Sequence, residues 1–196
     1  MSSLSEISRS PELLQRESSR LLIVDVQEKL VAALSDSSRA RLVSNCRFLA
    51  EGAKLFGIPA MATEQYPQGL GPTVAALAEL IAAQPAKKQF SAWECTGWRS
   101  AAESIDDRFQ IVVAGMESHV CVLQTVLDLL AAGYQTFVVA DAIAGRRDLD
   151  HQFALERMAN SGATITTAEA VLFEWCETAA ASEFKSLSAL VKARSA

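Results

Sequence analysis

No stretch restricts the fold of this chain more than residues 111–133, I-V-V-A-G-M-E-S-H-V-C-V-L-Q-T-V-L-D-L-L-A-A-G. Residues 111–114 are apolar and mostly β-branched, with no polar break, which suits a strand buried on both faces of a parallel sheet. Gly115 ends the run. From Val120 the apolar spacing turns helical, through Leu123, Val126, Leu127 and Leu130, before Gly133 closes the helix. Ser118 is the expected N-cap, which sets Cys121 at about the third helical position. A thiol in that first turn faces backbone N–H groups and the positive end of the helix dipole, both of which favour thiolate. A strand, a tight turn and a nucleophile, in that order, are the working expectation.

The remaining segments supply a sheet around this unit. Strands are expected at residues 21–26 (L-L-I-V-D-V), 58–63, 86–91, 136–140 and 163–166. Helices are expected at 39–56, 73–83, 148–161, 168–176 and 183–192, with a small one around 100–105. Six strands alternating with helices imply an α/β fold, a doubly wound, Rossmann-like sheet of about six mostly parallel strands in the order 3-2-1-4-5-6 with helices on both faces. The 196 residues suit one such domain, placed at 20–196. Residues 1–19, rich in serine and without the apolar region of a secretory signal, are expected to form a flexible arm.

In that order the first and fourth strands are neighbours at the topological switch point, where ligands of such sheets bind beyond the strand C-termini. Asp25 ends the first strand and Cys121 follows the fourth, so the topology brings an acid and a thiol together. An aspartate in an apolar run is costly unless it is paired or used. Beside a thiol it can act as general base. A lysine completes the set: Lys87 and Lys88 sit at the edge of the third strand, and strand alternation turns only one of them inward.

Composition narrows the partners. The chain has 18 basic and 23 acidic residues, a net charge of -5 without a strong basic patch, which argues against nucleic acid. No apolar run approaches the roughly 20 residues of a membrane span. Cys46, Cys95, Cys121 and Cys176 are scattered, without a C-x-x-C pair, as thiols of a reducing compartment are. A cytoplasmic protein acting on a small-molecule substrate, with no nucleic-acid or membrane partner, is the expectation.

D-V-Q at Asp25, K-x-x-F-S-A-W from Lys87 and G-M-E-S-H-V-C-V-L-Q-T up to Thr125 together resemble the isochorismatase-like cysteine hydrolase family. T-E-Q-Y-P-Q-G-L-G-P-T, V-V-A-D-A, F-A-L-E-R-M and T-T-A-E-A-V-L-F-E resemble its isochorismatase-domain-containing branch. The resemblance covers nearly all of residues 21–192. It implies the same doubly wound fold and an Asp–Lys–Cys triad, here Asp25, Lys87 and Cys121. Lys87 rather than Lys88 has the family spacing, four residues before Ser91. Also implied are a cis peptide before Glu117, an oxyanion hole from the backbone N–H groups of Glu117 and Cys121, and a homo-oligomer, for which the apolar segment V-L-F-E-W-C also speaks. Tyr66, Trp93 and Val120 are the candidate pocket walls.

Departures from the family bear on cofactors. Nicotinamidase-like relatives hold a metal with an aspartate and histidines in the loop after the second strand. Residues 64–72 contain no histidine, and the chain has only His119 and His151, so no metal and no cofactor are expected. His119, two residues before Cys121, is not read as its partner because adjacent helix residues diverge. His151, Cys46, Cys95 and Cys176 are read as structural, and Arg146 with Arg147 as a solvated loop pair. The implied activity is metal-independent hydrolysis of a small molecule at a C–N, amide-type bond through a thioester. Two alternatives stand beside it. One is isochorismatase-type vinyl-ether hydrolysis with the aspartate as acid, which leaves Cys121 unexplained. The other is a non-catalytic binding or scaffold protein, against which the full triad speaks. The fold does not fix the substrate.

Overall fold

A computed structural model describes residues 9–103, 106 and 108–194. Its centre is a parallel sheet of β1 (Ser19–Val24), β2 (Ala60–Ala62), β5 (Gln110–Met116), β6 (Gln135–Ala144) and β7 (Thr164–Thr166), in the order β2-β1-β5-β6-β7. A second, two-residue parallel pair joins β3 (Glu64–Gln65) to β4 (Ala86–Lys87). Five of the six expected strands thus lie in the expected order. The third, expected over 86–91, shrinks to Ala86–Lys87 and stands outside the main sheet. Proline explains its reduced pairing. Ala83 and Pro85 accept hydrogen bonds from Ala62 and Glu64 at 3.0 and 3.1 Å, but Pro85 has no N–H to return one to the ladder.

Strand residues alternate between two cores, as a doubly wound sheet requires. Leu21, Ile23, Val112 and Ala114 pack with α2 (Asp36–Phe56), α7 (Ala168–Cys176) and α8 (Phe184–Arg194). Leu22, Val24, Ile111 and Val113 pack on the other face with α5 (Leu123–Ala131) and α6 (Asp148–Asn160). Helix α2 begins three residues earlier than the apolar spacing indicates, because Ser35 caps it by accepting the Ser38 N–H. Gly57, with φ 68°, ends it. The helix expected over 73–83 is a single turn, α4 (Ala75–Ala78); α1 (Glu28–Val31) and α3 (Pro67–Leu70) are equally short. Of the small helix expected around 100–105, Ala101–Glu103 forms a 3₁₀ turn, and residues 104 and 105 lie outside the described residues.

The expected flexible arm is corrected where it is described; residues 1–8 of it lie outside the described residues. Leu14 is 0% exposed. Its N–H donates to Glu174 at 2.8 Å, and the Arg9 guanidinium donates to the Glu174 carbonyl at 2.6 Å. Helix α7 therefore docks this segment, a contact between positions 160 apart in sequence that no local pattern announces. Among the described residues no helix is long and apolar enough to cross a membrane.

Gly115 of β5 sits against the backbone of Val24 in β1, one residue before Asp25. Gly115 has φ 117°, and a Cβ there would collide with the backbone of Val24. Gly115→Ala is expected to cost about 3 kcal/mol or more, because both the torsion and the clash resist a side chain. Urea unfolding of the variant checks this, and a midpoint like that of wild type would contradict it.

Candidate active site

Asp25 follows β1 immediately, with φ 51°, a left-handed conformation that aspartate tolerates better than most residues. It is 0% exposed. The Thr63 hydroxyl donates to Oδ1 at 2.7 Å, and the Lys87 ammonium donates to Oδ2 at 2.7 Å. Alternation along β4 turns Lys87 inward and leaves Lys88 exposed. Besides Asp25, the ammonium meets Gln65 Oε1 at 2.7 Å and the carbonyls of Phe90 and Gln89 at 2.8 and 3.2 Å. With the Lys87 side chain 2% exposed, a buried cation and a buried anion neutralise each other inside a shell of acceptors.

Cys121 lies in a π-helical turn, Ser118–Val122, that enters α5. Its thiol lies close enough to Asp25 and Lys87 to feel both charges. This setting opposes the thiolate that the helix end alone would favour. Burial, then the Asp25 charge, push the thiol up to about 12, against the opposing pull of Lys87. Ser118 is not the cap either. Glu117 holds that position without a side-chain cap bond, and the buried Ser118 hydroxyl finds no partner among the described residues. Desolvation outweighs whatever the helix end contributes. A thiol raised in this way stays mostly protonated at neutral pH. Alkylation of Cys121 by iodoacetamide, followed by peptide mapping, is therefore expected to stay slow at neutrality and to climb between the ordinary thiol value of 9.0 and about 12. A plateau near neutral pH would show a preformed thiolate instead.

The Met116–Glu117 peptide is cis. The Glu117 carboxylate accepts from Arg146 Nε at 2.6 Å, so Arg146, read from the sequence as a free loop cation, is paired, although its side chain stays 58% exposed. His119 turns its Nε2 towards Asp150, at 3.9 Å.

The three expected pocket walls separate. Tyr66 lines a pocket of about 430 Å³ together with Gln68, Lys87, Gln89, Glu94 and Cys95. Trp93 faces a different hollow of about 400 Å³ and packs edge-on against Tyr134, with ring centroids 6.0 Å apart. Val120 is half-buried against the core that holds Cys121. Asp25 and Cys121 line neither hollow; Lys87 is the member of the set that the larger pocket reaches. Cys95, read as structural, lies on the wall of that pocket within the influence of the Lys87 and Asp25 charges.

Sequence reasoning missed the residues that hold this set. Thr63 and Gln65 each spend a side-chain bond on it. Thr125 donates to the Cys121 carbonyl at 2.6 Å and accepts the Ala92 N–H at 2.9 Å, tying the thiol's turn to the segment after Lys87. Gln65 and Thr125 stand in the quoted family segments T-E-Q and L-Q-T, and Thr63 opens the first of them, which was the available signal. Among the described residues no three His, Cys, Asp or Glu side chains are grouped to hold a metal ion, and Glu64, in the loop after β2, is committed to Thr73 at 2.7 and 2.9 Å.

Comparison with known proteins gives a consistent picture. The family model for the isochorismatase domain matches residues 19–170. The chain is 37% identical over 191 residues to isochorismatase domain-containing protein 2 of Xenopus laevis, covering 97% of this chain and 90% of that one. Among solved structures, the MAR1 ribonuclease of Caenorhabditis elegans superposes with a TM-score of 0.82 at 32% identity, covering 92% of each chain. The YcaC gene product of Escherichia coli, described as an octameric hydrolase of unknown specificity, superposes with a TM-score of 0.78. At 23% identity over 95% of this chain and 91% of its own, it shows a shared fold.

Proposed function

The chain belongs to the isochorismatase family of hydrolases, in the branch of the isochorismatase-domain-containing proteins, and from that premise we propose that it cleaves a C–N bond in a small amide through a thioester on Cys121. The observation that carries this reading is the buried Lys87–Asp25 ion pair, whose two charges both act on the Cys121 thiol.

Asp25 is the base. Because the thiol is protonated at rest, its proton passes to the carboxylate as the sulfur attacks the carbonyl carbon. Negative charge then develops on the carbonyl oxygen, and the backbone N–H groups of Glu117 and Cys121 are assigned to receive it. Asp25 returns the proton to the departing amine. A water deprotonated by the same carboxylate hydrolyses the thioester, and the thiol recovers its proton. Lys87 stays an ammonium throughout, held by its four acceptors, and keeps the aspartate oriented and charge-balanced.

A pocket of about 430 Å³ beside Lys87, with Tyr66 on its wall, suits a small-molecule substrate. The ribonuclease name of the C. elegans relative is not carried over, since a net charge of -5 is a poor match for a polyanion. Four free cysteines support the cytoplasm as the compartment. Assembly into a homo-oligomer is supported by the octameric relative and by Leu149 and Phe153, one turn apart on α6 and both exposed.

Vinyl-ether hydrolysis needs Asp25 to arrive as an acid. It also leaves the Cys121 thiol beside Asp25 and Lys87 without a role, so this reading ranks second. Intact-mass analysis separates them: small primary amides and isochorismate are offered to wild type and to Cys121→Ser. An acyl adduct mapped to Cys121 is the expected result. Full isochorismate turnover by Cys121→Ser, with no adduct in wild type, would select the second reading.

A further inference from the structure

We propose that Gln27 is a positioning residue of this site. Its buried side-chain amide clips both ends of the 65–71 segment to the end of β1, and so holds Gln65 against the Lys87 ammonium and Tyr66 at the pocket. The inference rests on reading Asp25, Lys87 and Cys121 as the reacting set, and it names a residue behind that set which touches no reacting atom.

Gln27 lies two residues after Asp25 and is fully buried. Its carbonyl oxygen accepts the Gln65 N–H at 2.7 Å, while its amide nitrogen donates to the Gln65 carbonyl at 3.0 Å and to the Gly71 carbonyl at 2.6 Å. The first two bonds copy the N–H and C=O exchange between paired strands, so a side chain stands in for a strand. The third reaches the far end of the segment. The amide has one workable orientation, since swapping its oxygen and nitrogen would face donor with donor and acceptor with acceptors.

The clip is anchored from behind by the turn that presents Asp25. The Gln27 N–H donates to the Asp25 carbonyl at 2.9 Å, and Gln27 forms an isolated antiparallel bridge with Thr73. What it holds has little other support. Helix α3, which makes up most of the segment, buries no residue, and Tyr66 and Gly71 have φ of 38° and 80°. Lys29 adds one exposed bond to the Gly69 carbonyl. Downstream, Gln65 Oε1 meets the lysine ammonium, its amide donates to the Lys88 carbonyl at 2.8 Å, and the Tyr66 N–H donates to the Lys87 carbonyl at 2.9 Å. Loosening Gln27 therefore loosens one of the four acceptors of Lys87 and one pocket wall together.

The test uses the full chain with hydrogen exchange and iodoacetamide labelling. Gln27→Met keeps the length and loses all three bonds. Exchange in peptides covering 65–71 is expected to quicken about tenfold, as befits one to two net hydrogen bonds lost from a local opening. Exchange in β5 should stay as in wild type. Labelling of Cys95 and Cys121 should rise with it, while Cys46 and Cys176 remain protected.

Gln27→Glu supplies the second arm. Its carboxylate still accepts the Gln65 N–H but sets a charged oxygen against two carbonyls, and protonation restores one donor. The ratio of variant to wild-type labelling at Cys95 and Cys121 should fall towards one as the pH is lowered from neutrality, a response that a merely structural defect lacks. Unchanged exchange over 65–71 in both variants overturns the clip, and so does a quickening that β5 shares. Turnover distinguishes this from the triad reading. Active Cys121→Ala with a released segment in Gln27→Met sinks the triad and keeps the clip. Inactive Cys121→Ala with Gln27 variants that exchange, label and turn over as wild type does the reverse.

Discussion

Cys121→Ala is expected to lower kcat on an amide substrate by about 10³-fold or more, because the thioester route loses its nucleophile. The fold should survive. The side chain is small, and what is lost is one sulfur from a site already crowded by Ala92 and Val122. A second signature follows from the raised thiol. A group whose pKa is higher in the folded protein than in the unfolded chain contributes stability that is present below the unfolded value and is lost as the pH rises through the folded one. For Cys121 that window runs from about 9.0 to about 12. The alanine variant should therefore lose less stability than wild type across alkaline pH, while matching its trend at neutrality. Denaturant titrations at several pH values measure this beside turnover. A variant that keeps wild-type kcat would remove Cys121 from the chemistry, whatever its alkaline behaviour.

Lys87→Met is expected to be the most destabilising change at the site. It leaves the Asp25 carboxylate, 0% exposed, without its cation, and breaking one side of a buried pair costs roughly 3–5 kcal/mol. Three acceptors, on Gln65, Gln89 and Phe90, lose a donor as well. The decisive comparison is the double variant Asp25→Asn with Lys87→Met. Removing both charges should recover about half or more of the lost stability, since the uncompensated charge is then gone. Additive losses in the double variant would mean that the two residues do not act as a pair. Neither variant should turn over substrate, so stability, not activity, separates these outcomes.

Much of the scaffold was legible before any coordinate. Residues 111–114 and 21–24 read as buried strands because a parallel strand is apolar on both faces, and both lie at the sheet centre. Asp25 was legible for the complementary reason, as an acid where an apolar run should continue. The choice of Lys87 over Lys88 needed the family resemblance, and alternation along β4 agrees with it. What stayed hidden depends on distant or three-dimensional causes. Ser118 has the chemistry of a cap, but capping depends on backbone torsions that the turn gives to Glu117 instead. The upward push on the thiol stayed hidden because a helix end is visible in sequence, whereas burial beside a carboxylate is not. Thr63, Gln65 and Gln27 are ordinary polar letters until loops 38 residues apart are brought together. The docking of residues 9–18 on α7 depends in the same way on distant contact.

The separation of β4 from the main sheet bears on how the site fails. Asp25 and Cys121 stand beyond the ends of β1 and β5, adjacent interior strands of the main sheet, whereas Lys87 arrives on a two-residue ribbon paired only with β3. Acid and thiol thus belong to the part of the molecule that melts last, and the lysine to a part held by a few local bonds. Heat or mild denaturant is expected to loosen the ribbon before the sheet opens, with the buried Lys87–Asp25 pair as the contact that resists it. Displacement of the lysine and loss of the sheet are then expected as two events rather than one, with a folded protein between them.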